Sequence, residues 1–91
     1  MTLEERLEKY LSKDPVIHPD AVVSKHAVLI GDVTVEADAN IWPMCVLRAD
    51  INSIVIGEGT NIQEGTMIHL ADDADVVIGK NTTVGHGCII H

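Results

Sequence analysis

The sequence predicts an all-β fold: a parallel β-helix of about four triangular coils, preceded by a short N-terminal α-helix. Three observations carry that prediction. Aliphatic residues recur every six positions at Ile17, Val23, Leu29, Val35, Ile41 and Leu47, then at Ile56, Ile62 and Ile68, and finally at Ile78, Val84 and Ile90. The phase slips by three residues before Ile56 and by four before Ile78. Four residues after most anchors stands a small side chain: Ala21, Ala27, Val33, Ala39, Cys45, Thr60, Thr66, Thr82 and Cys88. Tyr10 and Trp42 are the only aromatics, too few for an ordinary small core but enough for stacked Ile, Val and Leu. Neither a helical period nor long alternation produces this pattern.

Each hexad supplies one short flat strand, and three hexads close one coil of eighteen residues. The aliphatic fills the prism, while the residue four later sits against a tight corner and has to be small. Gly31-Asp32, Gly57-Glu58-Gly59 and Gly79-Lys80-Asn81 supply corners where positive φ is often required. Residues 2 to 13 read as an amphipathic helix within an N-terminal segment 1–14, and the repeat occupies 15–91. Thr2 and Glu5 form a capping box, Leu3, Leu7, Tyr10 and Leu11 form one face, and Pro15 ends the helix. Packing is its expected role, over the open bottom of the prism or against a neighbouring subunit.

The grid also predicts neighbours. Residues one coil apart lie about 4.8 Å from each other. Eighteen residues plus the first slip take Arg48 to His69, and eighteen plus the second take His69 to His91. All three follow an anchor directly and form one outward column. His86 follows its anchor by two, on the preceding wall, so it points from another side. One chain therefore offers His69 and His91 together but not His86, which a neighbouring chain could supply. That geometry implies a symmetric homotrimer with sites between subunits. Small domains are marginal alone, a second reason to expect association.

Composition narrows the function classes. The chain has 14 Asp plus Glu against 6 Lys plus Arg, a formal charge of −8, and no basic stripe. Nucleic acid and anionic membranes are not expected partners. The charged N-terminus has no signal-peptide pattern and no long apolar run follows, so a cytoplasmic location is expected. Cys45 and Cys88 share an inward position two coils apart, with Thr66 between them, too far for a bridge. His18 and His26 lie near lower corners without partner histidines and read as solvated surface.

Three stretches carry a resemblance: Leu47-Arg48-Ala49-Asp50-Ile51-Asn52, Gly59 through His69 with Asn61-Ile62-Gln63, and Thr83 through His91 with His86 and His91 four residues apart. From about Ile17 onward the chain resembles the γ-class carbonic anhydrases and related hexapeptide-repeat proteins. The resemblance implies that the β-helix is left-handed, against the usual crossover rule. It implies that His69, His86 and His91 are zinc ligands, with His86 reaching across a subunit boundary. Arg48 and Asp50 correspond to an interface ion pair, and Gln63, supported by Asn61, to the polar group beside the metal-bound water or bicarbonate. Three neutral imidazoles leave zinc's charge largely intact and one position open. Imidazole also suits Fe2+ and Co2+.

The implied activity is reversible hydration of carbon dioxide to bicarbonate by a homotrimer. Ile51 stands where active members carry an acid that assists proton transfer; Asp72 and Asp73 are the nearby loop carboxylates. Family members run on for several more coils and a C-terminal helix, so the match corresponds to the N-terminal half of that architecture. Trp42 reads as apolar surface at the trimer contact. A noncatalytic metal-binding trimeric scaffold is the alternative. A hexapeptide-repeat acyltransferase ranks third, because such enzymes need one histidine as general base rather than a stacked pair plus a third.

Overall fold

The computed structural model describes all 91 residues. It is a parallel β-solenoid of about four turns with one short helix in front. Helix α1 (Leu3–Leu11) precedes ten strands, β1 (Val16–Ile17), β2 (Val22–Val23), β3 (Val28–Val35), β4 (Asn40–Ile41), β5 (Val46–Ile56), β6 (Asn61–Ile62), β7 (Met67–His69), β8 (Val76–Ile78), β9 (Thr83–Val84) and β10 (Ile89–Ile90). Every ladder is parallel, and the anchors stack as Val35–Ile56–Ile78, Ile41–Ile62–Val84 and Leu47–Ile68–Ile90. Leu47, Ile54, Ile56, Ile62 and Ile68 are wholly buried between coils. Each such burial is worth about 1.5–3 kcal/mol against exposure, which makes this column the main source of cohesion.

The small position four residues after the anchor has two functions. Ala39, Cys45, Thr60 and Thr66 are completely enclosed. The two threonines also satisfy backbone groups of the coil above: Thr60 Oγ1 donates to the Gly79 carbonyl and Thr66 Oγ1 to that of Gly85. Cys45 and Cys88 are both free, as their separation requires.

Two expectations need correction. Only β2, β4, β6 and β9 form a wall of short separate strands. On the other side β3 and β5 run unbroken round one edge of the prism, which fuses two walls into a single six-stranded sheet. Gly31 makes this bend possible with φ of 78°, and a Cβ there would lie 2.1 Å from the Ala49 carbonyl oxygen. Positive φ is taken by Gly59 and Asn81 at the other glycine-rich corners, but not by Gly57. Gly57 is needed for space instead, since a Cβ would meet the Gly79 carbonyl oxygen at 2.5 Å.

The helix also lies elsewhere than under the open bottom. Its capping box forms as read, with the Thr2 hydroxyl accepting from the Glu5 backbone and Glu5 accepting from Thr2. Hydrogen bonding from the Thr2 backbone N–H and from the Thr2 side chain holds the Glu5 carboxyl below its ordinary value. It stops at Leu11, before Pro15, where the Ser12 hydroxyl bonds the Lys9 carbonyl. Of the proposed apolar face, Leu7 packs on the core, while Leu3 and Leu11 remain exposed. The helix runs along the edge that β3 and β5 turn, tied by Lys13 to Asp32 at 3.3 Å and by Arg6 to the Ile51 and Asp72 carbonyls. No helix is long and apolar enough to cross a membrane.

Candidate metal centre

The strand ladder brings the predicted column together. Arg48 pairs with His69, and the Ile68–Ile90 pair carries His91 to the next level. The rings of His69 and His91 stack with centroids 5.2 Å apart and planes inclined by 3°. That separation follows from the strand spacing, because both residues occupy the same place in successive coils.

Asp50 closes the cluster from the side. Its Oδ2 lies 2.5 Å from Arg48 Nη1, and its Oδ1 lies 2.9 Å from His69 Nε2. Burial alone raises the Asp50 carboxyl, but the hydrogen bond from His69, its own backbone N–H and the Arg48 charge outweigh this and hold it below its ordinary value. The group is therefore an acceptor, and His69 carries its proton on Nε2. His91 Nδ1 faces the His69 carbonyl at 3.3 Å and donates to it.

His86 stands apart, in the turn between β9 and β10, on the far edge of the wall that carries His69 and His91. Its Nδ1 lies 2.7 Å from Glu64 Oε2, and its side chain is 70% exposed against 26% for His69. No group of three or more His, Cys, Asp or Glu able to hold a metal comes together within this single chain. All three imidazoles nevertheless share one arrangement. Each has one nitrogen set against an oxygen, by a hydrogen bond at His69 and His91 and by an ion-pair contact at His86, leaving His69 Nδ1, His91 Nε2 and His86 Nε2 without a partner. An imidazole steadied in this way is the usual form of a metal ligand, so the donor set fits a divalent ion.

Asn61 and Gln63 flank the wall of short strands. Trp42 does more there than present apolar surface. Its indole N–H donates to Asn61 Oδ1 at 2.7 Å and to Asn40 Oδ1 at 3.0 Å, which fixes the Asn61 carboxamide. The Gln63 carbonyl accepts from the Cys45 thiol, while no partner holds the Gln63 side chain. His18 and His26 stay at exposed corners, with His18 Nδ1 accepting from the Asp20 backbone. Asp72 and Asp73 are exposed loop residues. Glu64 was not among the predicted site residues, although a signal existed: it precedes His86 by the same interval that separates His69 from His91.

Comparison with known proteins places this geometry among relatives. The chain is 40% identical to gamma carbonic anhydrase 2, mitochondrial, of Arabidopsis thaliana over 76% of its own length and 27% of that protein. It is 44% identical to the carnitine operon protein CaiE of Salmonella newport, over 85% of this chain and 39% of that one. A crystal structure of a hexapeptide transferase family protein from Anaplasma phagocytophilum superposes with a TM-score of 0.78 at 45% identity, covering 82% of this chain and 43% of the other. The chain thus spans less than half the length of each. No family model matches it.

Proposed function

We propose, from the premise that this chain is a hexapeptide-repeat β-solenoid protein of the γ carbonic anhydrase and CaiE kind, that it assembles as a homotrimer binding a divalent metal, zinc first, at subunit boundaries. Carbon dioxide is the proposed substrate and bicarbonate the product. The observation that carries this reading is the shared state of three imidazoles, each with one nitrogen anchored and the other free. His69 and His91 come from one wall of one subunit, and His86 comes from an exposed edge of the next.

Bound there, the metal supplies Lewis acidity that activates water near neutral pH. The chain's own residues do the rest. Asp50 orients His69 and engages the Arg48 guanidinium, which leaves the remaining face of that cation for a neighbouring subunit or the bicarbonate anion. Glu64 orients His86. Asn61, held by Trp42 through its Oδ1, keeps its amide N–H groups unengaged, and Gln63 keeps a free carboxamide for a polar oxygen of the substrate.

One observation favours the noncatalytic scaffold as second reading. Beside Asp50 stands Ile51, a buried aliphatic side chain with no group that can carry a proton. Subunit complementation separates the alternatives. His86→Ala chains and chains carrying both His69→Ala and His91→Ala are each expected to lose zinc and hydration activity. Mixing and reassembling them restores both, since intact boundaries form between unlike subunits. A zinc-loaded trimer without hydration makes the protein a scaffold. Failure of the mixture to recover zinc refutes boundary sites.

A further inference from the structure

We infer that Arg6 of α1 is a positioning residue for the Asp50–His69 pair, acting through the backbone of two edge loops. The inference rests on the metal-centre reading for its functional consequence, and on geometry alone for its structural one.

The phase slips place extra residues at one edge of the prism. There the ladder lapses: the last pair below is Arg48–His69 and the next above is Ile54–Val76. Asp50 through Ser53 and Leu70 through Asp75 thus lie over one another without a register pair between them. Both segments matter to the site, since one holds Asp50 and the other leaves directly from His69. Something other than strand pairing has to hold them.

Arg6 does so from outside. Its Nη2 donates to the Ile51 carbonyl at 2.7 Å, one residue after Asp50, and to the Asp72 carbonyl, three residues after His69. A single nitrogen bridges the two levels. In a chain of net charge −8, this guanidinium forms no ion pair and is spent on two carbonyls. The other cross-link is weak, Ser53 Oγ to Asp75 Oδ2 at 3.4 Å and exposed. Just beyond the helix C-terminus Lys13 reaches Asp32, so α1 is tied to the edge at two points, mid-helix and past its end. Leu7, packed on the core between these pins, stabilises the helix without touching the loop carbonyls by hydrogen bonds.

The experiment uses metal-free protein and long-range 15N imidazole spectra, which report which ring nitrogen carries the proton. In the unmodified chain His69 is expected as one tautomer, protonated on Nε2. Arg6→Ala is expected to give a tautomer mixture and roughly tenfold weaker Co2+ binding. Leu7→Ala is expected to lower Tm at least as much while leaving the tautomer and the Co2+ affinity unchanged. Asp50→Ala serves as the reference for full loss of tautomer order. If Arg6→Ala does not fold, Arg6→Gln decides: partial tautomer disorder upholds the inference and a wild-type spectrum overturns it. A wild-type spectrum in Arg6→Ala overturns it too, as does a Leu7→Ala change in step with its Tm. If the unmodified chain binds no Co2+, the metal reading fails while the tautomer series still judges Arg6.

Discussion

Two edges of the same prism solve the problem of turning the chain in opposite ways. One edge is built from Gly31-Asp32, Asp50 through Ser53 and Leu70 through Asp75, and is covered by α1. Three of its residues are drawn inward, with Leu70 at 1% and Ile51 and Asp50 at 8% exposure, while Ala71 through Asp75 stay exposed. The other edge is built from Pro43-Met44, Glu64-Gly65 and His86-Gly87. It consists of tight turns with φ of 67°, 77° and 63° at Met44, Gly65 and Gly87, and nothing in the chain covers it. Each edge carries an imidazole–carboxylate pair, hydrogen-bonded between Asp50 and His69 on one and in ion-pair contact between Glu64 and His86 on the other. The same chemical pair has different consequences in the two places. Where water is excluded, losing a partner leaves a polar group unsatisfied. Where water is present, the loss is made good by solvent.

The largest difference between the edges is expected from glycine substitutions. Gly31→Ala places a Cβ 2.1 Å from the Ala49 carbonyl oxygen and 3.1 Å from that of Tyr10, so sheet and helix have to separate. Urea denaturation is expected to show a loss above about 3 kcal/mol or no folded protein. Gly87→Ala meets no atom within 4 Å and bears only the left-handed backbone penalty, about 1 kcal/mol. Equal losses would mean that the covered edge is no more constrained than the bare one.

The carboxylates come next. Asp50→Ala is expected to cost about 2 kcal/mol, since Arg48 and His69 both lose their acceptor, whereas Glu64→Ala is expected to leave Tm unchanged and weaken only metal binding. The pH dependence has a definite sign. The folded carboxyl of Asp50 titrates below its ordinary value, so its contribution is complete above about pH 4 and fades as pH falls through the folded value. Thermal melts from pH 6 to pH 2 should show a shallower acid limb for Asp50→Asn than for the unmodified chain.

The smallest effect runs the other way. Met44 holds a left-handed backbone at a turn where the two coils above it use glycine, and its side chain is 68% exposed. Met44→Gly is expected to stabilise the chain slightly, by about 0.5 kcal/mol. It is also expected to weaken subunit association, as read by native mass against concentration. A variant that assembles as before would remove this edge from the proposed boundary.

Much of the molecule was legible as residue spacing. Ile17 through Ile90 gave the coils, the small position after most anchors gave the corners, and the intervals from Arg48 to His69 to His91 gave the ladder register. The intervals work because parallel pairing fixes each residue to one partner above and below, so counting along the chain is equivalent to measuring along the axis. Glu64 is equally accessible by counting, since it stands below His86 at the interval that separates His69 from His91. Trp42 is not, because donation to Asn61 depends on how an indole turns rather than on where its Cα lies.

By itself, then, the sequence determined a stack of parallel coils, the wall on which Arg48, His69 and His91 line up, and the separate edge that carries His86. Only the tertiary structure decided where α1 lies, that β3 and β5 continue round an edge, and that Arg6 joins the Ile51 and Asp72 carbonyls. The reason is physical. A repeated hexad constrains every copy through its neighbours, whereas a helix and two inserted loops each occur once, and their fit depends on side-chain reach and burial that no period encodes.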